Sequence, residues 1–179
     1  MYYLGVKNAT ILDISESGLK FAKEKFGYNT IKNDLYKRWN VNDEFYDVAF
    51  CMEVLEHLQY PSLVIAEVYR VLKRGGILYV GQPNMKPDGK HHIKRIHLKY
   101  LKNLLEENGF LIEEYIISPG LLTNNFSRIK NTTSLRKKIL IFVGSILNII
   151  TTKSMKKNLA NMFPRVFGGF YHIKARKVK

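Results

Sequence analysis

The stretch 46–84 reads YDVAFCMEVLEHLQYPSLVIAEVYRVLKRGGILYVGQPN. Its first run, VAFCM at 48–52, is short and apolar, as in strands buried on both faces of a parallel sheet, and polar Glu53, Glu56 and His57 crowd its carboxyl end. A helix is expected next. Pro61 suits its first turn, Val64, Ala66, Val68, Val71 and Leu72 supply an inward stripe, Lys73 and Arg74 sit in the last turn, and Gly75-Gly76 end it. Residues 77–80 form the following strand, stopped by Pro83. In open α/β sheets ligands collect at the carboxyl ends of strands, so the cluster after Met52 and the segment 82–84 are expected to face one crevice.

Working outward, residues 9–12 form a short strand ending on Asp13. Ser15 can then cap a helix that turns Leu19, Ala22 and Phe26 inward and stops at Gly27. An acidic side chain at a strand end beside a crevice is suited to accept two hydrogen bonds from ribose hydroxyls; the alternative is a turn or capping residue. Residues 28–32 read as another strand, and Asn33-Asp34-Leu35 as a polar turn. Downstream, 85–96 is polar and basic, with His91, His92 and His97 near the predicted strand end. A helix then carries Leu98, Leu101, Leu104 and Leu105 on one face up to Gly109, and 110–117 is a strand rich in β-branched residues.

Composition bounds the possibilities. A chain of 179 residues fits a single domain with an adequate core. Lysine and arginine number 29 against 15 acids, a formal charge of +14 that favours anionic partners: phospholipid head groups, nucleic acid or phosphorylated intermediates. The single cysteine, Cys51, excludes an internal disulfide and a cysteine-based zinc site, and its place at a strand end implies burial. The first residues lack a signal-peptide pattern, which points to a cytoplasmic setting.

The central unit resembles the fourth strand, helix and fifth strand of class I S-adenosylmethionine-dependent methyltransferases, and CMEVLEH followed by a proline is especially similar to the ubiquinone-pathway O-methyltransferases. DISESGLKFAKEKFG at 13–27 resembles the segment after that family's second strand, and FGGFYHIKA at 167–175 its last strand, which is antiparallel. The resemblance implies a Rossmann-like, mostly parallel sheet in one domain, 1–179. It also implies S-adenosylmethionine as cofactor, with Asp13 and Ile14 at its ribose, Asp34 and Leu35 near its adenine, and Met52 and Glu53 lining the same site. The family's sheet runs 3-2-1-4-5-7-6, and its first strand and GxGxG loop have no counterpart here, since only eight residues precede Ala9. An N-terminally truncated domain is the favoured expectation. Completion by a partner chain, or direct pairing of strands two and four, are the alternatives.

Methyl transfer needs an acceptor atom held in line with the methyl group and a base for its proton. His57 is the first candidate base, followed by His92 and His97; the alternative for His57 is a residue bonded to backbone at a helix start. Glu53, Glu56 and His57 could also converge on one divalent ion, a later histidine completing the shell, and oxygen-rich ligation would suit magnesium or manganese. That pattern also resembles small-RNA 2′-O-methyltransferases. The insert 120–164 holds an apolar segment, 139–150, flanked by Arg136, Lys137 and Lys138 and by Lys153, Lys156 and Lys157. It is shorter than the roughly 20 residues that span a bilayer as a helix. It reads either as a buried or dimer-interface helix, or as an interfacial helix that docks 136–157 on an anionic membrane. The expected function is O-methylation of a small or lipid-linked acceptor. A noncatalytic or membrane-docking partner keeping part of the cofactor site is the alternative, and metal-assisted RNA 2′-O-methylation the third.

Overall fold

The computed structural model describes residues 6, 8–84, 93–119, 153–162 and 168–178. Among them the order is β1 (Thr10–Asp13), α1 (Glu16–Phe26), β2 (Asn29–Lys32), β3 (Tyr46–Met52), a 3-10 turn (Leu55–His57), α2 (Pro61–Val71), β4 (Leu72–Pro83), α3 (Leu98–Glu107), β5 (Phe110–Pro119), α4 (Lys153–Met162) and β6 (Gly168–Lys177). His91, His92 and the apolar segment 139–150 lie outside the described residues. No helix among the described residues is long and apolar enough to cross a membrane.

Local chemistry sets the boundaries. Ser15 Oγ accepts the Gly18 amide at 3.2 Å, and Gly27, at φ 69°, donates its amide to Lys23 O, so α1 starts and stops where its caps are. Pro61 opens α2 without a side-chain cap. The end of α2 differs from expectation: Lys73 and Arg74 are on β4, not in a last helical turn. Leu72 is already extended, Lys73 Nζ reaches Asp47 at 2.8 Å, and the β3–β4 register jumps from Tyr46↔Leu72 to Val48↔Ile77. Residues 73–76 are looped out of the ladder. Gly75 supplies the left-handed turn at φ 74°, and a Cβ on Gly76 would lie 2.8 Å from Lys73 O, so the glycine pair makes a strand irregularity instead of a helix stop. Ala66 is exposed and Ile65 takes its place in the core, because 64, 65, 68, 71 and 72 form one stripe at helical spacing.

The strands form two sheets. β1 pairs β2 in parallel, and a four-stranded sheet has the order β3-β4-β6-β5, parallel between β3 and β4 and antiparallel on both sides of β6. The expected order 3-2-1-4-5-7-6 is matched apart from its first strand: among the described residues nothing pairs the second edge of β1 or of β3. One core, built from Leu55, Ile65, Leu72, Leu78, Ile96, Leu101, Leu105 and Ile173, lies between the four-stranded sheet and α2 and α3, and Cys51 is buried in it. The other face is open along β3. Val48, Phe50 and Met52 are each close to half exposed, and the Phe50 ring stacks on Tyr79 with centroids 5.2 Å apart.

Arg70 of α2 ties the two sheets together. Its guanidinium donates to Glu67, to Asp43 Oδ1 at 2.6 Å and to the carbonyls of Val41 and Trp39, while Glu67 Oε2 accepts the Trp39 amide at 2.9 Å. Hydrogen bonding to Arg70 holds the Glu67 and Asp43 carboxyls below their ordinary values. The connection from β2 to β3 is thereby fixed against α2.

Candidate functional site

Four parallel strands end in polar residues, and two contacts bring those ends together. Between β1 and β2, the Asn33 amide donates to Asp13 O at 3.1 Å, which sets Asp13 beside the 33–34 turn. Between the sheets, Tyr36 Oη accepts the Gln59 amide at 2.8 Å and the Tyr36 and Tyr60 rings meet edge-on at 6.2 Å, so the loop after β2 docks on the loop after β3. Asp13 is exposed; its Oδ1 accepts the Ser15 amide at 2.8 Å, which pins the carboxylate at the head of α1. The turn and ligand readings of Asp13 are thus compatible. Asp34 Oδ1 accepts the Tyr36 amide at 2.9 Å, the turn expected of an Asn-Asp pair. Ile14 is 66% exposed beside Asp13, whereas Leu35 packs against the main core.

At the end of β3 the backbone itself is unusual. Glu53 has φ 55°, a left-handed conformation costly for a residue with a Cβ, while its amide still donates to Gly81 O at 2.8 Å. Met52 lies across Gly81: a Cβ there would fall 2.3 Å from Met52 Cε and 3.4 Å from His172 Nδ1. His172 went unnoticed in the sequence. Its place depends on the register Gly81↔His172 between β4 and β6, which local pattern does not reveal.

The expected shared crevice for 82–84 is corrected. Gln82 and Asn84 are buried, Gln82 donating to Glu56 Oε2 at 2.8 Å and Asn84 Oδ1 accepting from Arg95 Nε at 2.8 Å. The metal reading is corrected for the same reason. Glu56 turns into the core at 1% exposure while Glu53 is exposed, and no group of three or more His, Cys, Asp or Glu that could hold a metal occurs among the described residues. His97 stands at the N-cap of α3, lining a groove of about 320 Å³ with Leu98, Lys99, Lys102 and Tyr171; none of the cofactor candidates lines it. His57 is half-exposed next to Glu56, its Nε2 3.8 Å from Glu56 Oε1. Burial pushes the Cys51 thiol up to about 12, with the nearby Glu56 charge adding to the effect, so Cys51 stays a protonated core residue.

Acidic residues thus stand at the carboxyl ends of parallel strands of an open α/β sheet, the position where ligands collect in such folds. Residues 1–80 match the family described as a methyltransferase domain. The ubiquinone biosynthesis O-methyltransferase of Pseudomonas savastanoi is 34% identical over 73 residues, 41% of this chain and 31% of that protein. The enzyme of the same name from Haemophilus ducreyi is 29% identical over 127 residues, 64% of this chain and 52% of that protein. A methyltransferase structure from Archaeoglobus fulgidus, described as S-adenosylmethionine dependent, superposes with a TM-score of 0.60 at 18% identity, covering 98% of this chain and 90% of that one. The chain is thus similar in sequence to methyltransferases over part of its length, and its fold is shared with methyltransferase structures. It spans only about a third to a half of the length of these two curated relatives.

Proposed function

We propose that this chain forms the adenosine-facing part of an S-adenosylmethionine-dependent methyltransferase directed at oxygen on a small or lipid-linked acceptor. The observation that carries the reading is Asp13: an exposed carboxylate at the end of a parallel strand, oriented by Ser15 and adjoining the Asp34 turn. Its remaining oxygen and the outer lone pairs of Oδ1 suit paired ribose hydroxyls. Asp34 would face the base, and Met52 and Glu53 the ribose-to-sulfur part. When bound, the cofactor supplies an electrophilic methyl group. The residues present fit its adenosine portion. For the amino-acid portion these 179 residues offer no GxGxG cradle of backbone amides. The two ubiquinone-pathway relatives support oxygen as the methylated atom.

A second reading, a noncatalytic partner that keeps half of a cofactor site, is favoured by the unpaired edges of β1 and β3. Calorimetric titration of S-adenosylmethionine into this chain, into its Asp13→Ala variant and into a chain extended upstream separates the two. The catalytic reading expects binding that Asp13→Ala weakens by about tenfold or more, the equivalent of one lost charged hydrogen bond. Heat that is identical with and without Asp13 would remove the ribose assignment. Binding confined to the extended chain would favour the half-site reading for these residues alone.

A further inference from the structure

The groove along α3 holds none of the cofactor candidates, yet it gathers positive charge. Its volume of about 320 Å³ lies at the lower end of the range for small-molecule sites. α3 turns Leu101, Leu104 and Leu105 into the core, so Lys99, Lys102, Asn103 and Glu106 share another face at helical spacing and line the groove with Leu98 and the buried Tyr171. Lys102 Nζ stands over the Tyr115 ring, 3.4 Å from its centroid. A ring face attracts an ammonium and fixes its place without neutralising its charge. Among the described residues neither Lys99 nor Lys102 forms an ion pair, in contrast to Lys32, Lys73 and Lys174, each 3.0 Å or less from a carboxylate. Glu106 is the acidic residue of the lining; it stands one turn beyond Lys102 and two beyond Lys99, about 10 Å along the axis from the latter. The two lysines therefore make the end of the groove at the start of α3 cationic.

Tyr171 ties this groove to the carboxyl edge of the sheet. It pairs with Gln82 on β4, the residue after Gly81, and Gly81 pairs with Met52 at the end of β3. Neighbouring strands lie about 4.8 Å apart, so two steps, β6 to β4 to β3, place the backbone at Tyr171 about 10 Å from the end of β3. We propose that the groove seats an anionic group of the methyl acceptor on Lys99 and Lys102, with the acceptor hydroxyl reaching about 10 Å across the carboxyl edge to β3. The substrate class is a hydroxylated acceptor that carries a carboxylate or a phosphate at its far end. This deepens the methyl-transfer reading and rests on it. Leu98 and Tyr171 offer apolar surface to the body of such a molecule, and Asn103 a neutral donor to its head group. The charge of +14 draws anions to the whole surface; the groove adds two lysines one turn apart on one helix face, spaced so that both reach the same head group.

Binding is read on the ¹⁵N-labelled 179-residue chain without cofactor or turnover. Titration with 3,4-dihydroxycinnamate is expected to shift the amides of Lys99, Lys102, Asn103 and Tyr171 together with those of Met52 and Glu53, whereas benzoate, too short to reach β3, shifts the groove amides alone. Phenyl phosphate supplies the other head group on the same short body, and the tighter of it and benzoate names the source. Lys99→Gln and Lys102→Gln should each weaken dihydroxycinnamate binding by about fivefold or more, and Glu106→Gln should tighten it. The double variant Lys20→Gln, Lys23→Gln, which removes the same kind of charge from α1, should leave it unchanged. Equal weakening by the α1 variant, or no groove shifts at a millimolar excess of all three probes, overturns the site. Identical footprints for benzoate and dihydroxycinnamate overturn its role as the acceptor seat. Lysine-dependent probe binding in a chain whose Asp13 and Asp34 amides ignore S-adenosylmethionine upholds the anion site and counts against the methyl-transfer reading.

Discussion

Glu53 occupies a backbone conformation that its side chain disfavours. At φ 55° it carries a penalty of about 1–2 kcal/mol relative to glycine, placed at the carboxyl end of β3 beside the proposed cofactor face. Glu53→Gly is therefore expected to raise the unfolding free energy by about 0.5–1 kcal/mol in urea denaturation while weakening S-adenosylmethionine binding. A loss of stability, or unchanged cofactor affinity, would show that the carboxylate is not retained for the ligand. At this scale the sequence was informative where chemistry is local. Asp13, Ser15 and Gly27 act through neighbours within a few positions, and their roles as strand end, cap and stop follow from residue type. Glu56, Gln82 and His172 were illegible as a set. The polar run EVLEH gives no sign that Glu53 faces solvent and Glu56 the core; the left-handed step at Glu53 and the 3-10 turn after it decide that.

Among the elements, the two sheets are unequal. β3, β4, β5 and β6 share a core with α2 and α3, whereas β1 and β2 contain no buried residue, and among the described residues their unit buries only Leu19 and Tyr28. A two-stranded parallel ribbon has too little apolar burial to stand alone, so it depends on the ties from Tyr36 to Gln59 and from Trp39 to Glu67. Native-state hydrogen exchange should show the amides of 10–13 and 29–32 opening at a free energy well below those of 77–82, and S-adenosylmethionine should raise protection in the first group. Equal protection in both groups would contradict this ranking. Element types were largely readable from period and punctuation, since each described strand and helix except α4 falls on an expected segment; Lys153–Met162 reads in the sequence only as the basic flank of the apolar segment before it. The junction of α2 with β4 was not. Lys73 and Arg74 look like a basic last turn, but the backbone is already extended at Leu72, and they lie in the irregularity between Leu72 and Ile77, with Lys73 held to Asp47.

For the molecule as a whole, the main structural fact is that the described strands fall into two sheets, β1-β2 and β3-β4-β6-β5. Val48, Phe50 and Met52 stand close to half exposed along the unpaired edge of β3. The charge of +14 gives the whole surface an attraction for anions that a neutral relative would lack, so cofactor and acceptor studies belong at stated ionic strength. The account's central claim is that the carboxyl ends of β1, β2 and β3 form one cofactor site. Titrating S-adenosylmethionine into the ¹⁵N-labelled chain and following the backbone amides tests it most directly. The account predicts shifts concentrated at Asp13, Ile14, Asp34, Met52 and Glu53. Shifts confined to the α3 groove around Lys99 and Lys102, or none at a millimolar excess of ligand, would contradict it.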